Sequence, residues 1–204
     1  LLLLLLLLSY LDNRYLGLGA AAMAFIHRRR RIASLRYSVQ VNPSDVRAMV
    51  ELGEHYLRSG DSAQAAEYLE RALERGEDSA RAHYLLGAAR VRQGRGEEGR
   101  NLLEKALAMQ PSVAYGEPYL YLIEEAAARR DDRRIEELVA ELRQFESVEI
   151  LTRAGHLCRA AGLADLARQL FDEAIRNYQY IPAKMRRRER RWVWRARVGR
   201  MQAR

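Results

Sequence analysis

Small and apolar residues in the middle of the chain recur with a period of 34 residues. The pair Leu52-Gly53 returns as Leu86-Gly87, one period later. A fixed period of this length is typical of stacked helical hairpins, because one hairpin cannot bury its apolar face alone. The pattern therefore predicts an all-α chain whose hairpins stack into a solenoid.

The spacing resembles that of the tetratricopeptide repeat (TPR) family over roughly residues 32–182. The matching positions are small or apolar: Leu52, Gly53, Tyr56, Ala65, Leu69 and Ala72 first, then Leu86, Gly87, Leu103, Ala106 and Pro111, and later Ala154, Gly155, Ala167, Phe171 and Ala174. The chain departs from the family pattern at His83, Arg90 and Gly99, and Cys158 replaces the usual tyrosine. The resemblance implies a right-handed superhelix of helical hairpins; an irregular helical bundle is the alternative.

The repeats are predicted at 46–79, 80–113, 114–147 and 148–182. The third is degenerate and fits the period only if about two residues are inserted near 113–118. Residues 32–45 are interpreted as a leading half repeat, because Pro43, just after its helix, lies two periods before Pro111. This half repeat is expected to join the solenoid to the segment before it without a flexible linker.

The first 31 residues have a different pattern. Residues 1–11 and 15–26 are apolar, 12–14 are polar, and four arginines follow as Arg28, Arg29, Arg30 and Arg31. Each apolar run is shorter than the ~20 residues that cross a bilayer. We interpret the first run as the end of a spanning helix and the second as a membrane-embedded or interfacial helix.

The basic block after these runs indicates the topology. Positive charge beside a membrane segment stays cytoplasmic, so everything after residue 27 is predicted to lie on the cytoplasmic side of a membrane. A signal peptide is the alternative, since residues 22–24 resemble a small-residue cleavage site. It fits less well because the basic block follows the apolar run.

In the TPR family the first helix of each hairpin lines a concave groove. The resemblance implies that the groove of this chain is formed partly by Arg47, Glu54, Arg58, Arg81, Tyr84, Arg92, His156 and Arg159. Its arginines favour an acidic partner segment, bound through forked arginine–carboxylate contacts. The alternative is that they are ordinary solvated helix residues.

Residues 183–204 are predicted to form a basic capping helix. Apolar residues fall on two of its sides, so one side is expected to seal the last repeat. The other is predicted to meet anionic headgroups or a partner subunit, and the candidates for this surface are Arg28, Arg29, Arg30, Arg31, Arg187, Arg191, Trp192 and Trp194.

The charge distribution limits the classes of partner. The net charge of +8 divides into +5 over residues 1–36, −6 over 37–183 and +9 over 184–204. Nucleic-acid binding through the basic tail is the weaker alternative, because the body of the chain is acidic and carries no recognised binding fold.

No catalytic or cofactor-binding motif is present. His27, His55, His83 and His156 do not have a metal-ligand spacing, and Cys158 is the only cysteine. We therefore predict that the protein is not an enzyme and has neither cofactor nor metal.

Together these features predict a membrane-anchored scaffold for protein–protein interaction. It would assemble or stabilise a membrane complex, or be an accessory subunit of one. The alternatives are a regulatory adaptor that recruits a soluble enzyme or protease, and a nucleic-acid tether. Some bacterial envelope regulators resemble this layout, but one type of them ends in a paired-cysteine metal knuckle that this chain lacks.

Overall fold

The computed structural model describes residues 18–203, and the described residues are predominantly α-helical. The helices are α1 Leu18–Val41, α2 Val46–Ser59, α3 Ser62–Glu74, α4 Ala80–Arg92, α5 Gly96–Met109, α6 Glu117–Ala128, α7 Asp132–Leu142, α8 Val148–Ala160, α9 Ala164–Tyr180 and α10 Ala183–Gln202. Two short 3-10 turns, Val113–Gly116 and Arg143–Phe145, precede α6 and follow α7. No strand occurs among these residues.

The helices form four hairpins in a row. Within the hairpins α2 packs on α3, α4 on α5, α6 on α7, and α8 on α9. The first helices also contact one another in the order α2, α4, α6, α8, and α10 continues this layer by packing on α8. The predicted all-α solenoid is confirmed.

A small residue sets how closely the helices of a hairpin cross. A Cβ atom added to Gly53 would lie 2.5 Å from the Leu69 side chain, and one added to Gly87 would lie 2.8 Å from Leu103. Both contacts are shorter than van der Waals packing allows, so only glycine permits this spacing. A Cβ atom added to Gly155 would likewise lie too close to the Phe171 ring.

The turns between the two helices of each hairpin need a left-handed residue. Glycine supplies it in three hairpins, with φ of 90° at Gly60, 76° at Gly94 and 89° at Gly162. The third hairpin uses Arg130 with φ of 58° instead. A side chain in this region is strained relative to glycine.

The second helix of the third hairpin begins two residues later than the 34-residue period predicts, and the fourth hairpin follows the period again. The second helix of each hairpin begins at Ser62, Gly96, Asp132 and Ala164, which are separated by 34, 36 and 32 residues. The extra length lies in the 3-10 turn Val113–Gly116, within the interval where an insertion was expected.

Helix α10 caps the solenoid by packing one side on α8 and α9. A Cβ on Gly199 would lie 2.5 Å from the Phe171 ring, so this ring is held between Gly155 and Gly199. Trp192 is only 8% exposed, and its carbonyl oxygen accepts a hydrogen bond from Thr152. Assigning Trp192 to an exposed membrane or partner surface was therefore wrong, because its side of the helix forms the cap.

Arg187, Arg191 and Trp194, the other predicted surface residues of α10, are exposed. Whether they meet a membrane or a partner stays a prediction.

Glu189 places a partly buried carboxylate on the capping helix. Burial raises the pKa of Glu189, and the nearby charge of Glu149 raises it further. Its Oε2 atom is buried without a hydrogen-bond partner among the described residues. Because the folded state holds this proton more tightly than the unfolded chain, folding loses free energy as the pH rises from the ordinary glutamate pKa through the raised one.

We expect Glu189→Gln to stabilise the protein at neutral pH, by about 0.5–1 kcal/mol in the free energy of unfolding. The gain should disappear at about pH 4, where the wild-type carboxyl is also neutral. Urea unfolding at both pH values measures it. Glu136→Gln, at an exposed position of α7, is the matched control. An equal gain at both pH values would show that charge is not the cause.

Residues 1–17 lie outside the described part of the chain, and with them the predicted spanning run 1–11 and the first residues of the run 15–26. From Leu18 onward the second apolar run, the basic block and the leading half repeat form one continuous helix, α1. Within residues 18–203, no helix combines the length and the apolar character needed to cross a membrane.

Candidate partner-binding groove

Three concavities follow one another along the layer of first helices, and together they are here called the groove. The N-terminal concavity encloses about 550 Å³ between α1 and α2, the central one about 620 Å³ between α2 and α8, and the C-terminal one about 380 Å³ between α4 and α10. Glu54, Arg58 and Arg81 line both of the first two. Arg92, Tyr121 and Arg153 line both of the last two, so the surface is continuous.

In the N-terminal concavity the arginines already hold carboxylates. Glu54 accepts from Arg58 at 2.6 Å and also from Arg81 on the next hairpin. Arg31 donates to Glu51 at 2.8 Å, and this hydrogen bond lowers the pKa of Glu51. These pairs show that the arginine side chains reach the geometry needed to bind a carboxylate.

Arg92 is positioned at the junction of the central and C-terminal concavities. Its Nη1 donates to the carbonyl oxygen of Leu57 at 2.6 Å, and its guanidinium carbon lies 5.5 Å from the centre of the Tyr121 ring. No carboxylate of residues 18–203 forms an ion pair with it. These two contacts fix the position of the Arg92 guanidinium. Because the side chain is exposed, its charge stays available to a ligand.

A hydrogen-bonded carboxylate, that of Glu117, lines the same concavity as Arg92. Tyr84 donates its hydroxyl to Glu117, and Arg153 donates to the same carboxylate at 3.1 Å. Burial and the charge of Glu117 raise the pKa of Tyr84 above its usual range. Tyr84 therefore remains a hydrogen-bond donor at every physiological pH and holds Glu117 at the floor of the groove.

An unusual backbone forms one edge of the central concavity. Ala114 and Tyr115 have φ of 49° and 50°, and Gly116 continues the left-handed stretch with φ of 89°. The Tyr115 side chain is 81% exposed as a result. The insertion in the third hairpin thus places an exposed aromatic ring at the edge of the central concavity.

The C-terminal concavity is half covered by the cap. His156 lies there with its ring 5.0 Å from the Phe171 ring, and burial together with Arg159 and Arg195 lowers its pKa. His156 is therefore neutral at physiological pH. Arg195 lies over the Trp192 ring at 4.9 Å.

The structure places the predicted groove residues unevenly. Five of them line the central concavity: Glu54, Arg58, Arg81, Tyr84 and Arg92. Tyr84 is nevertheless buried, so it contributes its hydroxyl to the floor and little of its ring. That any of these residues contacts a partner stays a prediction.

Of the other predicted groove residues, His156 lines the C-terminal concavity, whereas Arg47 and Arg159 line none of the three. Arg47 is exposed in the first turn of α2 and lies 3.6 Å from Glu51. Arg159 is exposed near the end of α8. Arg31, predicted for a membrane surface, belongs to the N-terminal concavity through Glu51. Arg29 and Arg30 are exposed on α1, and the side chain of Arg28 lies outside what the structure describes.

The sequence analysis did not predict that α6 of the third hairpin and Arg153 of α8 help to line the groove. Glu117, Tyr121 and Arg153 all line the central concavity. Because the two-residue shift hides the register, the groove-facing positions of α6 could not be counted from the period. The usable signal was the group of tyrosines around the insertion, Tyr115, Tyr119 and Tyr121.

Cys158 lies buried within the solenoid. Burial raises the pKa of Cys158 to about 12, so the thiol is not a nucleophile at neutral pH. Residues 18–203 contain no cluster of three or more His, Cys, Asp or Glu side chains that could hold a metal ion.

Comparison with known proteins supports the same fold. Residues 50–114 match the tetratricopeptide repeat family. The chain is similar to the solved structure of TTC0263, a TPR protein of Thermus thermophilus, with 19% identity and a TM-score of 0.61 over 94% of this chain and 98% of that one. A search of curated proteins finds no significant match.

Two further solved structures are similar. One is MamA, with 20% identity and a TM-score of 0.60 over 84% of this chain and 93% of that one. The other is YrrB, a TPR protein with an unusual peptide-binding site, with 16% identity and a TM-score of 0.55 over 83% of this chain and 90% of that one. At these identities the likeness shows the fold. The match to TPR repeats covers residues 50–114, and the described residues form an all-α, TPR-like solenoid. TPR proteins generally mediate protein–protein interaction and are generally not enzymatic.

Proposed function

We propose that the protein is an interaction scaffold whose groove binds an acidic, extended or helical segment of a partner protein. The segment would lie along α2, α4, α6 and α8, with a carboxylate on Arg92. In this role the protein assembles or stabilises a membrane complex, or is an accessory subunit of one.

The observation that carries the proposal is the state of Arg92. Two contacts fix its guanidinium, one to the Leu57 carbonyl and one to the Tyr121 ring. A positioned arginine loses little conformational entropy when it binds a carboxylate, and it can use two parallel hydrogen bonds. Its charge is not neutralised within the described chain, unlike that of Arg58, Arg81 or Arg153.

An exposed aromatic side chain in the same concavity as Arg92 would add to the affinity. Tyr115 is 81% exposed there, whereas Leu57, Leu85 and Val113, which also line the concavity, are already buried. Burying apolar surface supplies free energy that charge pairs at a wet surface do not. The favoured ligand is therefore a segment in which acidic residues alternate with large apolar ones.

We place the scaffold on the cytoplasmic side of a membrane. The support is the order of the sequence, with apolar residues 1–11 and 15–26 followed by Arg28–Arg31. Helix α1 is continuous from Leu18 to Val41 and packs on α2 of the first hairpin, so a tether at its start would hold the groove close to the membrane surface.

Binding of designed peptides tests the groove. The full chain is purified in detergent and titrated with fluorescent peptides that share one apolar pattern and carry either glutamates or lysines. We expect the acidic peptide to bind at least tenfold more tightly, with an affinity that falls as salt rises. Equal binding of the two peptides would contradict the proposal.

A further inference from the structure

We propose that the outer side of α10 binds the headgroup region of an anionic lipid membrane. Here the outer side means the exposed residues Arg187, Arg190, Trp194, Arg197 and Met201, which recur every three or four positions and so share one side of the helix. This surface is separate from the groove, and the inference does not depend on what the groove binds.

Two large apolar side chains stand out on this surface. Trp194 is 65% exposed and Met201 is 73% exposed, whereas Trp192 and Ala196 of the same helix are buried against the solenoid. Because the opposite side of α10 already packs on the last hairpin, Trp194 and Met201 on the outer side have no packing role in the described chain.

The charge of α10 matches an anionic surface. The helix carries nine basic residues and one acidic residue, Glu189. Among the ion pairs of the described residues, only Arg200 reaches a carboxylate from this helix, that of Asp172 at 2.8 Å. Arginines on the outer side, such as Arg190 and Arg197, therefore keep their charge for an external anion.

A concavity beside Met201 gives this surface a place for a phosphate group. It encloses about 780 Å³ between α9 and α10, and its lining consists of three arginines and two apolar residues, Arg168, Ile175, Arg197, Arg200 and Met201. Arg168 is held in place by donating to the carbonyl oxygen of Ala203 at 2.9 Å and 3.2 Å. Cations next to apolar atoms match the chemistry of a lipid headgroup above its acyl chains.

The mixture of side chains favours lipid over nucleic acid. Tryptophan between arginines is typical of helices that lie in the membrane interface, where the ring rests among headgroups and the arginines contact phosphates. A nucleic-acid surface would gain less from Met201.

The accessibility of Trp194 tests the proposal without depending on the N-terminal residues. The full chain is reconstituted into phosphatidylcholine vesicles, with or without about one third phosphatidylglycerol. The Trp194 signal is the emission of the wild type minus that of Trp194→Phe. We expect quenching by acrylamide to fall about threefold in the anionic vesicles only, and phospholipids brominated on their acyl chains to quench Trp194 there.

Charge reversal supplies the matched comparison. Arg190→Glu with Arg197→Glu should restore the quenching seen in neutral vesicles. Arg75→Glu with Arg133→Glu, at exposed positions of the solenoid, should not. If the first double variant loses helix content by circular dichroism, high salt replaces it, since salt should release Trp194 from the wild type. Equal accessibility in both vesicles, or protection by an oligonucleotide and not by anionic vesicles, would overturn the proposal.

Discussion

Gly87→Val is expected to lower the free energy of unfolding by about 3 kcal/mol, at the upper end of the range for overpacking a tight contact. A Cβ at this position would lie 2.8 Å from the Leu103 side chain and 2.9 Å from the Gly99 carbonyl oxygen. The Leu103 side chain can rotate, but the carbonyl belongs to the backbone of α5, so the two helices must separate. Urea unfolding followed by circular dichroism measures the loss.

The control separates packing from helix propensity. Ala108→Val introduces the same β-branched side chain at an exposed position of α5. It should cost less than about 1 kcal/mol, the scale of helix propensity alone. Equal losses for the two variants would show that the crossing at Gly87 does not set the hairpin spacing.

Arg92→Glu is expected to weaken binding of the acidic peptide about 30-fold, which corresponds to about 2 kcal/mol. The substitution removes the one arginine of the central concavity without a carboxylate partner in the described chain and places a negative charge at the same point. Fluorescence anisotropy with the glutamate-bearing peptide measures the change.

Two further variants make this result specific. Arg92→Gln removes the charge without reversing it and should cost about tenfold. Arg75→Glu, at the exposed end of α3, changes the net charge of the protein by the same amount as Arg92→Glu. If Arg75→Glu weakened binding as much, the effect would come from overall charge and not from the groove.

The hairpins could be predicted because they depend on residues that cannot be exchanged freely. Gly53, Gly87 and Gly155 each face the residue that lies sixteen positions later, namely Leu69, Leu103 and Phe171. A glycine followed sixteen positions later by a large apolar residue can be recognised in the sequence. This pair recurs at multiples of 34 residues, and the recurrence revealed the register of the repeats.

The third hairpin and the ion pairs could not be predicted in the same way. Arg130 replaces a turn glycine, and the two residues added before Glu117 are removed again before Val148. Counting by periods therefore fails between these points. The ion pairs could not be predicted for another reason. An arginine side chain is long enough to reach carboxylates on several turns of helix, and the 34-residue period does not indicate which of them it contacts.

The capping helix shows a limit of helical periodicity. The sequence indicated two apolar sides on α10 but not which of them packs inward. Gly199 decides it, because only this side lets the helix approach the Phe171 ring. Trp192 is buried as a consequence, and Trp194 is exposed.

The most direct test of the groove is to map where the acidic peptide binds on the full chain. Nuclear magnetic resonance of the isotope-labelled protein in detergent, titrated with the peptide, reports each backbone amide and the Arg92 side chain. If the groove is the partner site, the largest shifts fall on α2, α4, α6 and α8 and on the Arg92 guanidinium. Shifts concentrated on α3, α5 and α7, with Arg92 unchanged, would contradict it.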